Sequence, residues 1–371
     1  MNEMLYMLRA IELAGKGRGW TNPNPMVGAV IVKNGEIIGE GYHARCGDLH
    51  AERSAIAALT ESAEGATLYV TLEPCCHYGK QPPCTEAILE QKIARVVIGS
   101  RDPNPLVAGK GVRFLREHGV EVVEDFMKEE CDALNDVFFH YITSRRPYVV
   151  MKYAMTADGK IATKTGASRW VTGEASRQRV QHLRSHYMGI MAGIGTVLID
   201  DPMLNVRIPG GRSPVRIICD SHLRIPMESQ IVRSARDYPT IVACALADPG
   251  KKQQLTEAGL QVLEFPGQDG RVDLQELMRY LGEEKQIDSI LLEGGGELND
   301  SMLRAGLVQE AKVFIAPKIF GSQQAASPVR GIGVETPAKA ILMELKSTEA
   351  IEGDILLTYR IRKGETCSQE S

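Results

Sequence analysis

At 371 residues the chain is long enough for about two domains, each with its own core, which excludes a single small module. Hydrophobic residues at 43% and charged residues at 24%, with 36 Gly and 18 Pro, match soluble globular chains and exclude disordered, collagen-like or coiled-coil compositions. The 43 Lys plus Arg against 47 Asp plus Glu leave a formal charge of -4, so nothing in the bulk charge favours nucleic acid, and a small substrate is the first expectation.

The opening MNEMLYMLRAIELAGKGRGW places Glu3, Arg9 and Glu12 inside its apolar stretch, which reads as an amphipathic helix over 2–16 rather than an export signal. The longest uncharged apolar run, Tyr187 to Ile199, has 13 residues including three glycines, short of the roughly 20 needed to cross a bilayer. The expected setting is a reducing cytoplasm, where the cluster Cys75, Cys76 and Cys84 points to metal or catalysis rather than disulfides. Cys131, Cys219, Cys244 and Cys367 are scattered and read as small hydrophobes or surface thiols.

Strands are predicted at 27–33 and 36–42 around the hairpin signal Asn34-Gly35, then a helix from about 50, a strand at 66–72 and a helix from about 84. A strand at 94–100, a helix near 110–118, a strand at 120–125 and a helical stretch around 127–143 complete the first half. This alternation makes residues 1–145 a three-layer α/β/α domain, closed by a linker at Ser144-Arg145-Arg146-Pro147. A second α/β domain, 146–363, has strands at 147–155, 188–193, 215–220, 240–245, 260–265, 288–293 and 310–317, a turn at Asp158-Gly159 and a helix near 174–186. Helices flank the 288–293 strand, and residues 364–371 read as a frayed tail.

The sharpest chemical signal is His50-Ala51-Glu52, followed after a strand by Pro74-Cys75 and then Cys84. Zinc deaminases carry H-x-E and a later Pro-Cys with a second thiolate: one His and two Cys hold the metal, water takes the fourth position and the Glu moves protons. His50 and Glu52 fall at the start of one predicted helix and Cys84 opens the next, and helix N-termini favour thiolates. A closed structural site with Cys46 or Cys76 as fourth ligand accounts for the ligands but leaves Glu52 without a task. His43 and His77 read as polar contacts more readily than as ligands.

Residues 22–111, through NPNPMVGAVIV, GYH, HAER, TLEPCCHYGKQPPC and RDPNPLVAGKG, resemble the deaminase half of the bifunctional riboflavin-biosynthesis deaminase/reductase family, a cytidine-deaminase-like fold. Eight residues separate Cys75 from Cys84, the spacing of that family, where common zinc deaminases have C-x-x-C; Cys76 and Gln81 stand where the family usually has serine and threonine. The resemblance implies zinc at His50, Cys75 and Cys84, with Glu52 as the catalytic acid/base. Asn24 and His43 would hold a flat aminopyrimidine edge, and Lys80, Asp102 and Asn104 the ribose phosphate; RDPNP is also what a plain turn would choose.

The second half has no strand followed by G-x-G-x-x-G, and Gly193-Ile194-Gly195-Thr196 is a weak glycine motif. Gly294-Gly295-Gly296, between a strand and the helix ELNDSMLRAGL, lets backbone N–H groups approach an anion, although a bare packing turn would look the same. Residues 147–361 resemble the reductase half of the same family, a dihydrofolate-reductase-like α/β fold using NADPH, through KYAMTADGKIA, SRWVTGEASR, GIGTVLIDDPMLNVR, CDSHLRIP and LLEGGGELNDSML. The resemblance puts cofactor at Ala154, Trp170, Thr196, Asp200, Gly295, Gly296, Glu297, Leu298, Asn299, Asp300 and Ser301, and substrate at Ser168, Arg184, Leu204 and Arg207. Ser221 and Arg224 match the cofactor's 2′-phosphate, or form a strand-end turn with a solvated Arg. Lys152, Asp200 and Glu293 are the catalytic candidates for aligning and protonating the opened ribose, with Glu293 also touching substrate.

The expectation is two active sites acting in turn on a phosphoribosylated diaminopyrimidinone: zinc-dependent release of ammonia, then NADPH-dependent reduction of ribosyl to ribityl. The alternatives are a nucleoside or tRNA zinc deaminase with an unrelated appended domain, and a zinc-stabilised nucleotide-binding protein without turnover. No membrane or nucleic-acid partner is expected, and a homo-oligomer is left open.

Overall fold

Asn34 and Gly35 both have positive φ, 53° and 83°, the mirror-image turn whose twist matches paired strands. They join β1 (Gly28–Lys33) to β2 (Glu36–Tyr42). The structure is a computed structural model describing residues 3–78, 81–104 and 107–362. It divides into two units, Met1–Arg145 and Arg146–Ser371, and the fold class read from the sequence holds in each.

In the first unit β3 (Thr67–Leu72), β4 (Arg95–Ser100) and β5 (Glu121–Val123) complete a sheet of order β2-β1-β3-β4-β5. β1 is antiparallel to β2 and β3, whereas β3, β4 and β5 are parallel. Strand alternation sorts the side chains into two cores. Ala29, Ile31, Leu68, Val70, Val96 and Ile98 face helices Ala51–Ala57, Cys84–Glu90 and Lys110–Glu117; Val30, Val32, Tyr69 and Val97 meet Met7 and Ala10 of helix Glu3–Gly15, and Cys131. One edge of the sheet gathers the chemistry: because β1 runs against β3, the start of β1 and the ends of β2, β3 and β4 lie together.

The predicted helical stretch around 127–143 is broken into Lys128–Asp132 and Asp136–Ser144. Between them Asn135 is buried, its side chain accepting from Met26 N (2.8 Å) and donating to Met26 O (2.9 Å). An amide clamped to a distant backbone segment outcompetes helix continuation.

The second unit contains β6 (Tyr148–Thr156), β7 (Gly189–Gly193), β8 (Val215–Cys219), β9 (Thr240–Cys244), β10 (Gln261–Glu264), β11 (Ser289–Leu292), β12 (Glu310–Ala316), β13 (Met343–Ile351) and β14 (Asp354–Ile361). Their order is β10-β9-β8-β7-β11-β6-β12-β14-β13, parallel from β10 to β12 and antiparallel beyond. The β13–β14 hairpin lies outside the sequence expectation, because β13 reads MELKSTEAI and is exposed on both faces, leaving no apolar alternation to detect. It is anchored by buried Asp354, which accepts from Gly173 N (2.7 Å) and Ser176 Oγ (2.6 Å) at the start of helix Glu174–His186. No helix among the described residues is long and apolar enough to cross a membrane.

Gly28 sits where a Cβ would fall 1.9 Å from Ala10 O, so helix Glu3–Gly15 packs directly on bare backbone. Gly28→Ala is expected to lower stability by roughly 1–3 kcal/mol through overpacking, whereas Gly15→Ala, with nothing within 4 Å of the added Cβ, leaves it within about half a kcal/mol. Equilibrium urea unfolding of the two variants checks the difference.

Candidate functional site

In the first unit His50 is the N-cap of helix Ala51–Ala57, Cys75 lies just beyond β3, and Cys84 is the first residue of helix Cys84–Glu90. Two helix starts and a strand end therefore aim donors at one point. His50 Nδ1 lies 3.5 Å from Cys75 Sγ and 3.4 Å from Cys84 Sγ, and the three ligand atoms fall within 4.8 Å of one another. Cys84 N donates to Cys75 Sγ at 3.4 Å. The hydrogen bond from the Cys84 thiol and the nearby His50 hold Cys75 down at about 4, despite burial, while Cys84 is pushed up as the partner keeping the shared proton. One imidazole and two sulfurs around a shared proton fit a zinc ion's donor set.

Cys46 is exposed and Cys76 half-buried, and among the described residues the only cluster with metal-ligand geometry is His50, Cys75 and Cys84; neither extra cysteine supplies a fourth ligand. Glu52 is 4% exposed, and burial followed by the Cys75 charge pushes its carboxyl up to about 7. A carboxyl poised near neutrality beside three metal donors suits proton transfer in either direction.

The shared sheet edge gathers further candidates, of which His43 meets His50. His43, after β2, donates from Nδ1 to Leu49 O (3.0 Å), so its Nε2 accepts from Asn24 Nδ2 (3.2 Å), ahead of β1. The rings of His43 and His50 meet edge-on at 5.6 Å, and burial pushes the His43 pKa down. Asp102, after β4, accepts from Asn104 N at 2.8 Å, the turn that RDPNP also predicts, and its carboxyl is pushed up to about 6 by burial. Lys80 lies outside the described residues.

Sequence reading missed Glu73. This buried carboxylate accepts from Gly109 N (3.0 Å), Gly111 N (3.1 Å) and Val112 N (3.3 Å), fastening the start of helix Lys110–Glu117 to the residue before Pro74-Cys75. Gly111 is required there, since its Cβ would fall 2.2 Å from Pro74 O. A Glu before Pro-Cys paired with the Gly-Lys-Gly of 109–111 is the signal in the sequence.

In the second unit a cleft of about 1730 Å³ opens beyond the carboxyl ends of the parallel strands, larger than the roughly 300–1,000 Å³ of a one-ligand pocket. Lys152 and Ala154 reach it from β6, Ser168 and Trp170 from the following loop, and Thr196 and Asp200 from helix Ile194–Asp200. Ser221 and Arg224 line it after β8, Arg207 after the Leu204 turn, and Gly295, Gly296, Glu297, Leu298 and Ser301 at the start of helix Gly296–Arg304. Three expected residues do not line it. The Leu204 side chain is in the core at 3% exposure, Asn299 is buried beneath the glycine turn, and Asp300 pairs with Arg304 at 2.8 Å.

Arg184, expected to meet substrate, lines the cleft and places Nε and Nη2 on Glu293 (2.7 and 3.0 Å) and Nη1 on Asn205 O (3.2 Å). Three of its five N–H donors are engaged within the protein, and Arg207, also lining the cleft, is the more exposed cation. Lys152 Nζ lies 3.7 Å from Glu293, completing a partly buried pair of cations around one carboxylate. Burial opposes ionising Glu293, but Arg184 and Lys152 together hold it down at about 2, and burial pushes Lys152 down. Asp200 accepts from Ser168 Oγ at 2.9 Å.

Residues 1–100 match the family model of the cytidine and deoxycytidylate deaminase zinc-binding region, and residues 147–357 that of the RibD C-terminal domain. The chain is 55% identical to riboflavin biosynthesis protein RibD of Actinobacillus pleuropneumoniae, over 97% of this chain and 95% of that one. It superposes on RibD of Acinetobacter baumannii (form 1) with a TM-score of 0.87 at 36% identity, covering 97% and 99% of the two chains. A diaminohydroxyphosphoribosylaminopyrimidine deaminase/5-amino-6-(5-phosphoribosylamino)uracil reductase from Thermotoga maritima gives 0.85 at 38%, covering 96% and 98%.

Removing the Glu293 charge leaves two largely shielded cations without their shared counter-charge. Glu293→Gln is therefore expected to destabilise by roughly 3–5 kcal/mol, read from urea unfolding at neutral pH. The pH sign follows from a carboxyl held near 2 when folded against 4.5 otherwise: its contribution is complete above about pH 4.5 and lost as pH falls through about 2. Unfolding titrations of wild type and variant converge below that pH.

Proposed function

Since this chain belongs to the RibD family and is a bifunctional deaminase and reductase of riboflavin biosynthesis, we propose that the Met1–Arg145 unit deaminates a phosphoribosylated diaminopyrimidinone and the second unit reduces its ribosyl group to ribityl. Buried Glu52 beside the converging donors His50, Cys75 and Cys84 carries the first assignment. Zinc held by those three residues would supply the Lewis acidity that makes water a nucleophile near neutral pH. Glu52 takes the proton from water and delivers it to the departing amine. Asn24 and His43, already bonded to each other, fix the edge of the pyrimidine, and Asp102 and Asn104 orient the ribose phosphate.

In the second unit the Gly294–Gly296 turn at the start of helix Gly296–Arg304 offers a cradle for phosphates, and NADPH bound there would supply the hydride. The cleft has room for cofactor and substrate together. Lys152, with its proton loosened by burial, protonates the opened ribose, while Glu293, itself held by Arg184, fixes its ammonium and Asp200 with Ser168 orients the sugar. Arg207 meets the substrate phosphate, and Ser221 with Arg224 the cofactor's 2′-phosphate.

Glu52→Gln is expected to keep zinc at one ion per chain, to release ammonia from the diamino substrate at least about a hundredfold more slowly, and to oxidise NADPH normally when given the deaminated product. Metal analysis, an ammonia assay and cofactor absorbance read the three. Ammonia release at the wild-type rate would remove Glu52 from the reaction.

A further inference from the structure

The chain between β12 and β13 crosses the start of helix Gly296–Arg304 as an irregular strap over residues 325–333. Ala325 is buried, Pro328 O accepts from Asn299 Nδ2 (2.8 Å), Arg330 N donates to Gly296 O (2.9 Å), and Gly333 O accepts from Arg304 Nη2 (2.9 Å). Gly331 lies so close to the helix that a Cβ would fall 1.8 Å from Asp300 Oδ2. These contacts set the Arg330 side chain over the glycine turn: its Cγ and Nε are 2.9 and 3.0 Å from where a Cβ on Gly296 would stand, and it lines the cleft.

A guanidinium is the wrong charge for that position, because the positive end of a helix repels cations. Asp300, against the strap, is taken by Arg304, and Glu297 also lines the cleft. An anion between the guanidinium and the backbone N–H groups reverses the repulsion.

We propose that Arg330 binds the diphosphate of the reductase cofactor, closing on it from the strap while the Gly294–Gly296 backbone closes from the helix. The assignment rests on reading that turn as the dinucleotide site. NADPH and NADH share the diphosphate and differ at the 2′-phosphate, so Arg330 must act equally on both, whereas a cation at the 2′-phosphate acts on NADPH alone.

The test is equilibrium binding, followed by nicotinamide fluorescence on the full chain without substrate, for wild type, Arg330→Gln, Arg330→Met and Arg330→Lys. Arg330→Gln is expected to raise the Kd of NADPH and NADH alike by about tenfold, the size of a charge-assisted hydrogen bond. Arg330→Met, which keeps the aliphatic stem over Gly296, behaves the same, and Arg330→Lys recovers part of the loss. Ligand-free unfolding midpoints separate this from a damaged strap. Unchanged Kd in Arg330→Gln or Arg330→Met, or a loss confined to NADPH, overturns the proposal. A wild-type chain that binds neither dinucleotide overturns the cofactor reading itself and this proposal with it.

Discussion

One imidazole nitrogen within 3.5 Å of two sulfurs is the contact on which the first unit depends. Left to themselves, three donors so close crowd lone pairs together. Here the thiols share a proton, with Cys75 held low and Cys84 high, and a divalent cation in place of that proton satisfies all three. The surroundings follow from the same requirement. His50 and Cys84 each stand at a helix start, where exposed N–H groups favour negative charge, and Glu73 ties down the next helix by accepting three backbone N–H groups.

The second unit solves a related problem with charges alone. Lys152, Arg184 and Glu293 are all largely shielded, their side chains 12–14% exposed, and a lone pair of cations there would be destabilising. Glu293 holds them together at the wall of the cleft. Both units place their candidate site residues beyond the carboxyl ends of parallel strands, Cys75 after β3 and Asp102 after β4, Ser221 after β8 and Glu293 after β11. In open α/β sheets the strand ends leave a crevice that the covering helices do not fill.

Most elements were legible because their signals are local. Val-Ile runs bounded by Gly and Asn mark β1 and β2, and the Asn34-Gly35 turn needs positive φ at both positions, a demand few residue pairs meet. The metal donors were equally legible, since H-x-E with Pro-Cys and a second Cys is a chemical requirement written at short range. What escaped depended on distant partners. The Asn135 break rests on Met26, and the exposed β13 exists because β14 pairs with it. Glu73 and Arg330 act through backbone groups tens of residues away, so their tasks leave no periodic pattern.

By itself the sequence determined the class of the two domains, the donor set of the metal site, the glycine turn and the residue types available to each reaction, because composition, periodicity and spacing act within a few residues. Tertiary structure alone decided which of those residues meet. It buried Glu52 and so moved its carboxyl to about 7, drew Arg184 onto Glu293, withdrew the side chains of Leu204 and Asn299 from the cleft and laid Arg330 over the start of helix Gly296–Arg304. Burial and charge pairing are properties of neighbours in space, and neighbours in space are fixed only when the sheet order is.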